Sequence, residues 1–133
     1  MRLELKRELS ELQDIVAATA AFFAEHGIDT GLRNVVDLAT EELFVNMVLH
    51  NTETTADILL EMRPLGAGVE VSLTDFDVDR FDPTRFQPVD IDAPAEERTP
   101  GGLGLFLVSK MVDAMTYQYK ERQSKMTFQV GQG

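Results

Sequence analysis

Apolar residues recur at two different periods along this chain, and the order of the periods leaves few folds open. Leu12, Ile15, Val16, Ala20 and Phe23 follow a helical repeat, and a second helical stripe runs through Leu32, Val35, Val36, Ala39, Leu43 and Met47. After residue 56 the character changes to β-prone runs, "ADILLEMR" and "VEVSLTD", with Val69, Val71 and Leu73 pointing one way. Two amphipathic helices and a half-buried hairpin each have one face to hide, and a sheet covered by helices hides both.

Local punctuation sets the boundaries. The alternation from Leu3 to Arg7 predicts a short first strand. Ser10 with Gln13 fits a capping box and Gly27 a left-handed stop, so the first helix is predicted over Glu11 to His26. Asp29 or Thr30 caps the second helix, which ends near His50 or Asn51. "PLGAG" reads as a hairpin turn, and "TPGGLGLFLVSKMVDAM" opens with glycines and becomes an amphipathic helix. Two last strands, near Thr116 to Lys120 and Lys125 to Val130, flank "ERQS". The order is β-α-α-β-β-loop-α-β-β in a single domain over residues 1–133. The predicted fold class is α+β: a two-layer α/β sandwich with a mostly antiparallel sheet covered on one face by helices.

Composition narrows the function classes. At 44% hydrophobic and 26% charged residues the chain is ordinary for a globular domain. With no cysteine, disulfides, thiolate catalysis and cysteine metal sites are excluded. A formal net charge of −11 disfavours direct binding to nucleic acid or to an anionic membrane, and any nucleotide site would need a cation and amide donors. "MRLELKRELSELQD" lacks the apolar run of a signal peptide, and no stretch is long enough to span a bilayer, so a cytoplasmic location is expected.

Three constellations carry chemistry. In "EELFVNMVLHN", Glu42 and Asn46 are four residues apart on one helix face, in line with Val35 and Ala39, and a buried carboxylate or carboxamide there needs a partner or a ligand. His50 continues the row, although a carboxamide is a poor zinc ligand. Second, Gly101, Gly102 and Gly104 precede a helix, where exposed amides and the helix dipole favour phosphate; Arg98 and Lys110 flank them. Third, Asp75 ends a strand, placed to accept a hydrogen bond from an exocyclic amine. Between Asp75 and Glu97 lie eight acidic residues against Arg80 and Arg85, which reads as a long mobile loop. Each signal also has a plain reading as a solvated helix edge, a loop and cap, or a turn former.

Taken in order, these stretches resemble the histidine-kinase-like ATPases of the GHKL or Bergerat type, and within them the stand-alone anti-sigma factors that are serine/threonine kinases. "LATEELFVNMVLHN" is similar to their N box, "VSLTDFDVDRFDP" to the first glycine box and "GGLGLFLVSKMVD" to the second. The resemblance implies the Bergerat ATP-binding fold and Mg2+ and ATP as cofactors. It gives Asn46 the magnesium, Glu42 the role of base toward the attacking hydroxyl, and Asp75 the adenine amino group. Gly101, Gly102 and Gly104 would hold phosphates, the acidic loop would be a lid, Arg98 would reach the γ-phosphate and Thr127 would touch adenine. The implied partners are a small STAS-type anti-anti-sigma protein and a sigma factor, and the implied assembly is a homodimer.

The chain departs from the family pattern in four places. Asp77 stands where glycine is expected, where a carboxylate would crowd or repel a nucleotide; the spacing to Phe81 is one residue longer; Asn51 replaces a glycine after His50; and "RQSKMTF" lacks a Gly-Thr pair. These departures motivate an alternative, a non-catalytic and nucleotide-independent protein-binding module on the same fold. Phosphate donation to a histidine is less favoured, because the chain carries no dimerisation hairpin with such a residue.

Overall fold

A computed structural model of the chain describes residues 1–79 and 102–131, and for residues 102–105 the backbone alone. The elements follow the predicted order: β1 (Arg2–Leu5), α1 (Leu12–His26), α2 (Arg33–His50), β2 (Ile58–Leu65), β3 (Gly68–Phe76), α3 (Gly102–Met111), β4 (Ala114–Lys120) and β5 (Gln123–Val130). The five strands form one sheet in the order β1-β2-β3-β5-β4, every neighbouring pair antiparallel. This is the predicted α+β sandwich.

Alternation sorts the strands into two faces. Leu5, Ile58, Leu60, Met62, Val69, Val71, Leu73, Met126, Phe128 and Val130 are buried and form one core with Ile15, Phe22, Phe23, Val36, Leu43, Phe44, Met47 and Val108 of the helices. Leu43 and Phe44 are buried together, and each side chain taken from water stabilises the domain by about 1.5–3 kcal/mol. That burial fixes the rotation of α2, and with it the direction of Glu42 and Asn46.

The boundaries differ in instructive ways. The predicted capping box does not form: the chain enters α1 through a 3-10 turn, Leu9–Glu11, with no side-chain cap, and Glu11 Oε2 instead accepts the Lys6 N–H at 2.9 Å. Gly27 does close α1, with φ 62° and ψ 34°, and the Ile28 N–H returns to Phe23 O at 3.0 Å. Asp29 accepts the Gly31 N–H at 2.9 Å, but it caps a 3-10 turn that precedes α2. The first strand stops at Leu5, which frees Arg7 to turn inward. In the last hairpin the turn contracts to Glu121 and Arg122, both left-handed at φ 53° and 62°.

Candidate functional site

Helix α2 presents Glu42 and Asn46 on one face, one turn apart. Asn46 is buried at 7% exposure, and its Oδ1 has no hydrogen-bond partner among the described residues. Leaving such an oxygen unsatisfied costs about 1–3 kcal/mol, so the fold carries a hard oxygen donor that a cation would satisfy. Asp37 Oδ1 and Thr40 Oγ1 are likewise unpartnered on this helix, although Asp37 Oδ2 accepts from Arg33 at 3.1 Å. Glu42 is half-buried; desolvation, and then repulsion from Glu41, push its carboxyl above the ordinary glutamate range. A carboxylate held in that way is a better proton acceptor than a solvated one. Among the described residues no three His, Asp or Glu side chains gather as a metal cage.

Asp75 closes β3 on the helix-covered face and is completely buried. Arg7 spans it: Nη1 donates to Oδ1 and Nη2 to Oδ2 at 3.1 Å. The Asn51 Nδ2 donates to the same Oδ2 at 2.6 Å. Arg7 is in turn held by three backbone carbonyls, Ala56 O at 3.3 Å, Met47 O at 2.9 Å and Asn51 O at 2.9 Å. Two of these belong to the C-terminal end of α2, where a cation also meets the negative end of the helix dipole. Neither Arg7 nor Asn51 figured as a site residue in the sequence. Asn51 was visible as a departure from the glycine pattern, whereas nothing local marks Arg7.

Asp77 takes φ 58°, the left-handed conformation that glycine adopts most readily and that Asp tolerates better than most residues. Its carboxylate is turned outward, 70% exposed, and accepts from Arg122 Nε at 2.9 Å, while Asp79 accepts from Arg122 Nη1 at 2.9 Å. The Asp77 carboxylate is thus directed to Arg122 on the opposite hairpin turn. The opposite hairpin turn holds the residue there, through Arg122 to its carboxylate and its carbonyl.

Thr127 does not join Asp75. It pairs with Ser72 and Thr116, on the sheet face away from the helices, whereas the β5 residue directly across from Asp75 is Ser124, buried at 4% exposure. The alternation of Met126, Phe128 and Val130 was the signal for this, since it places the even-numbered residues of β5 inward. Gly102 and Gly104 lie in the first turn of α3 itself rather than in a turn before it, so their N–H groups are among the helix's unpaired N-terminal donors. Gly101, Arg98 and the acidic stretch from residue 80 onward lie outside the described residues.

Comparison with known proteins bears on the family and the fold. A family model described as a histidine kinase-like ATPase domain matches residues 5–130. Among solved structures, the RsbU and RsbW domains of Rv1364c from Mycobacterium tuberculosis superpose with a TM-score of 0.67 at 16% identity. The match covers 98% of this chain and 31% of that one, and at such identity the likeness is one of fold. A search of curated proteins gave no match. Among the described residues no helix is long and apolar enough to cross a membrane.

Proposed function

Since the chain belongs to the histidine kinase-like ATPase family, we propose that it binds magnesium and ATP beside α2 and acts as an anti-sigma regulatory factor with serine/threonine kinase activity. In this reading it phosphorylates a small STAS-type anti-anti-sigma partner and alternately sequesters a sigma factor, working as a cytoplasmic homodimer. The RsbW domain in the structural neighbour supports the anti-sigma direction. The observation that carries the reading is the buried Asn46 Oδ1, unpartnered among the described residues, one turn from Glu42.

Each residue then has a task set by its surroundings. Asn46 Oδ1 would hold the cation, and bound magnesium would neutralise phosphate charge as the phosphoryl group moves. Glu42, its carboxyl pushed up by burial, accepts the proton of the attacking serine hydroxyl. The N-terminal amides of α3, at Gly102 and Gly104, would hold phosphate oxygens, with no Cβ on those residues to stand in the way. Gly101, Arg98 and the segment around them would complete the phosphate site, and Asp75 would face the base.

A second reading, the nucleotide-independent binding module, is favoured by one observation: Asp75 is already occupied by Arg7 and Asn51. Calorimetric titration separates the two. Magnesium-ATP should release binding heat with the native chain and lose at least about 10-fold in affinity with Asn46→Ala, the scale expected for a lost ligand to a charged group. Absence of heat with the native chain would leave the binding module as the surviving reading.

A further inference from the structure

The network around Asp75 has a consequence for which nucleotide the chain prefers, and this inference rests on the nucleotide reading given above. A carboxylate distinguishes adenine from guanine because adenine offers an amino donor where guanine offers a carbonyl acceptor. The distinction requires a carboxylate oxygen that is free to accept. Here the Asp75 side chain is 0% exposed, Oδ1 receives Arg7 Nη1, and Oδ2 receives both Arg7 Nη2 and Asn51 Nδ2.

Arg7 is also poorly placed to leave. Its guanidinium is pinned by carbonyl oxygens of Met47, Asn51 and Ala56, so withdrawing from Asp75 means abandoning three further acceptors or stretching away from them. Those acceptors come from the end of α2 and the segment leading into β2, both rooted in the core through Met47 and Ile58. The planar fork matches both carboxylate oxygens at once, a geometry that lysine cannot reproduce.

We propose that Arg7, supported by Asn51, is the base-selectivity residue of this chain: by engaging both oxygens of the fully buried Asp75 it withdraws the acceptor that would single out adenine, so nucleoside triphosphates bind through their phosphates with little regard to the base. Asn51 occupies a position where the family pattern has glycine, a residue with no donor to offer. Arg7 at the β1–α1 connection and Asn51 after α2 therefore converge on a single carboxylate 68 and 24 residues away.

The test is binding of magnesium-ATP and magnesium-GTP to the native chain, to Asn51→Ala and to Arg7→Lys, with a thermal melt of each to establish folding. Asn51→Ala keeps the Arg7–Asp75 pair and frees one lone pair on Oδ2. The native chain should bind the two triphosphates within about 3-fold of each other, and Asn51→Ala should favour ATP by about 10-fold, the scale of one hydrogen bond to a charged group. Arg7→Lys should move the same way. A native preference for ATP of 10-fold or more overturns the proposal and leaves the nucleotide reading intact, as does a folded Asn51→Ala that gains no preference while both triphosphates bind. If the native chain binds neither and Asn51→Ala binds ATP over GTP, the network blocks binding altogether rather than base selection, and both the proposal and the kinase reading of the native chain fall. If no triphosphate binds any folded form, both fall.

Discussion

Asn46 and Asp75 are both buried polar groups, and their surroundings are opposites. Asn46 has an oxygen with no partner among the described residues, while Asp75 has three N–H donors on two oxygens. Buried polar groups are normally satisfied, so the first arrangement stores a demand and the second has met it from within the chain. The contrast divides a nucleotide site into halves: the end where cation and phosphates would bind is waiting, and the end where a base would bind is already occupied. Stability measurements can test each half without any ligand present.

The largest effect should come from Arg7→Met. Removing one partner of a buried, hydrogen-bonded ion pair strands the other, at a cost of about 3–5 kcal/mol. Urea denaturation should show that loss, and the double variant Arg7→Met with Asp75→Asn should recover part of it, because no buried charge is then left. A loss under about 1 kcal/mol for Arg7→Met would mean that Asn51 or water satisfies Asp75 unaided, and the contrast between the two halves would disappear.

Why one half was legible in the sequence and the other was not follows from distance along the chain. Glu42 and Asn46 are joined by helix geometry alone, so their shared face could be read from spacing. The apolar periods likewise gave every element in order, since each stripe must face the same core. Arg7 meets Asp75 across 68 residues, and no local pattern announces a pairing made by the sheet. The β-like alternation through Arg7 even pointed the wrong way, because it ran two residues past the end of β1 at Leu5. Thr127 was legible in a different way: the alternation of Met126, Phe128 and Val130 puts it on the far face of the sheet, away from Asp75. The capping box failed because two residue types at the right spacing do not oblige the backbone to start a helix there; a 3-10 turn came first and Glu11 found the Lys6 N–H.

The unsatisfied half should answer in the other direction. Asn46→Leu replaces the carboxamide with an apolar group of similar volume and removes a buried oxygen that lacks a partner. In the absence of nucleotide it should stabilise the chain by about 1–2 kcal/mol, raising the melting temperature, while abolishing any rise on adding magnesium-ATP. A variant that melts lower than the native chain would show that the oxygen is satisfied in solution, and the site would lose its main argument for a cation.

The smallest effect concerns Glu42, and it tests whether the waiting half is poised for proton transfer. Burial, reinforced by Glu41, raises its carboxyl above the ordinary value of 4.5. A raised value means that folding favours the protonated form, so the contribution of this group to stability is fully present below the unfolded value and is lost as pH rises through the folded one. At pH 7 the native chain therefore carries an ionised group that the fold disfavours, and Glu42→Gln does not. Because the side chain is only half-buried, screening limits the gain at pH 7 to less than about 1 kcal/mol. The gap should close as pH falls below 4.5, where the native carboxyl is also neutral. Denaturation of both proteins at pH 7 and pH 4 measures it. A gap of equal size at both values would assign the difference to packing rather than to charge, and Glu42 would then sit beside Asn46 as a neighbour with no special readiness to take a proton.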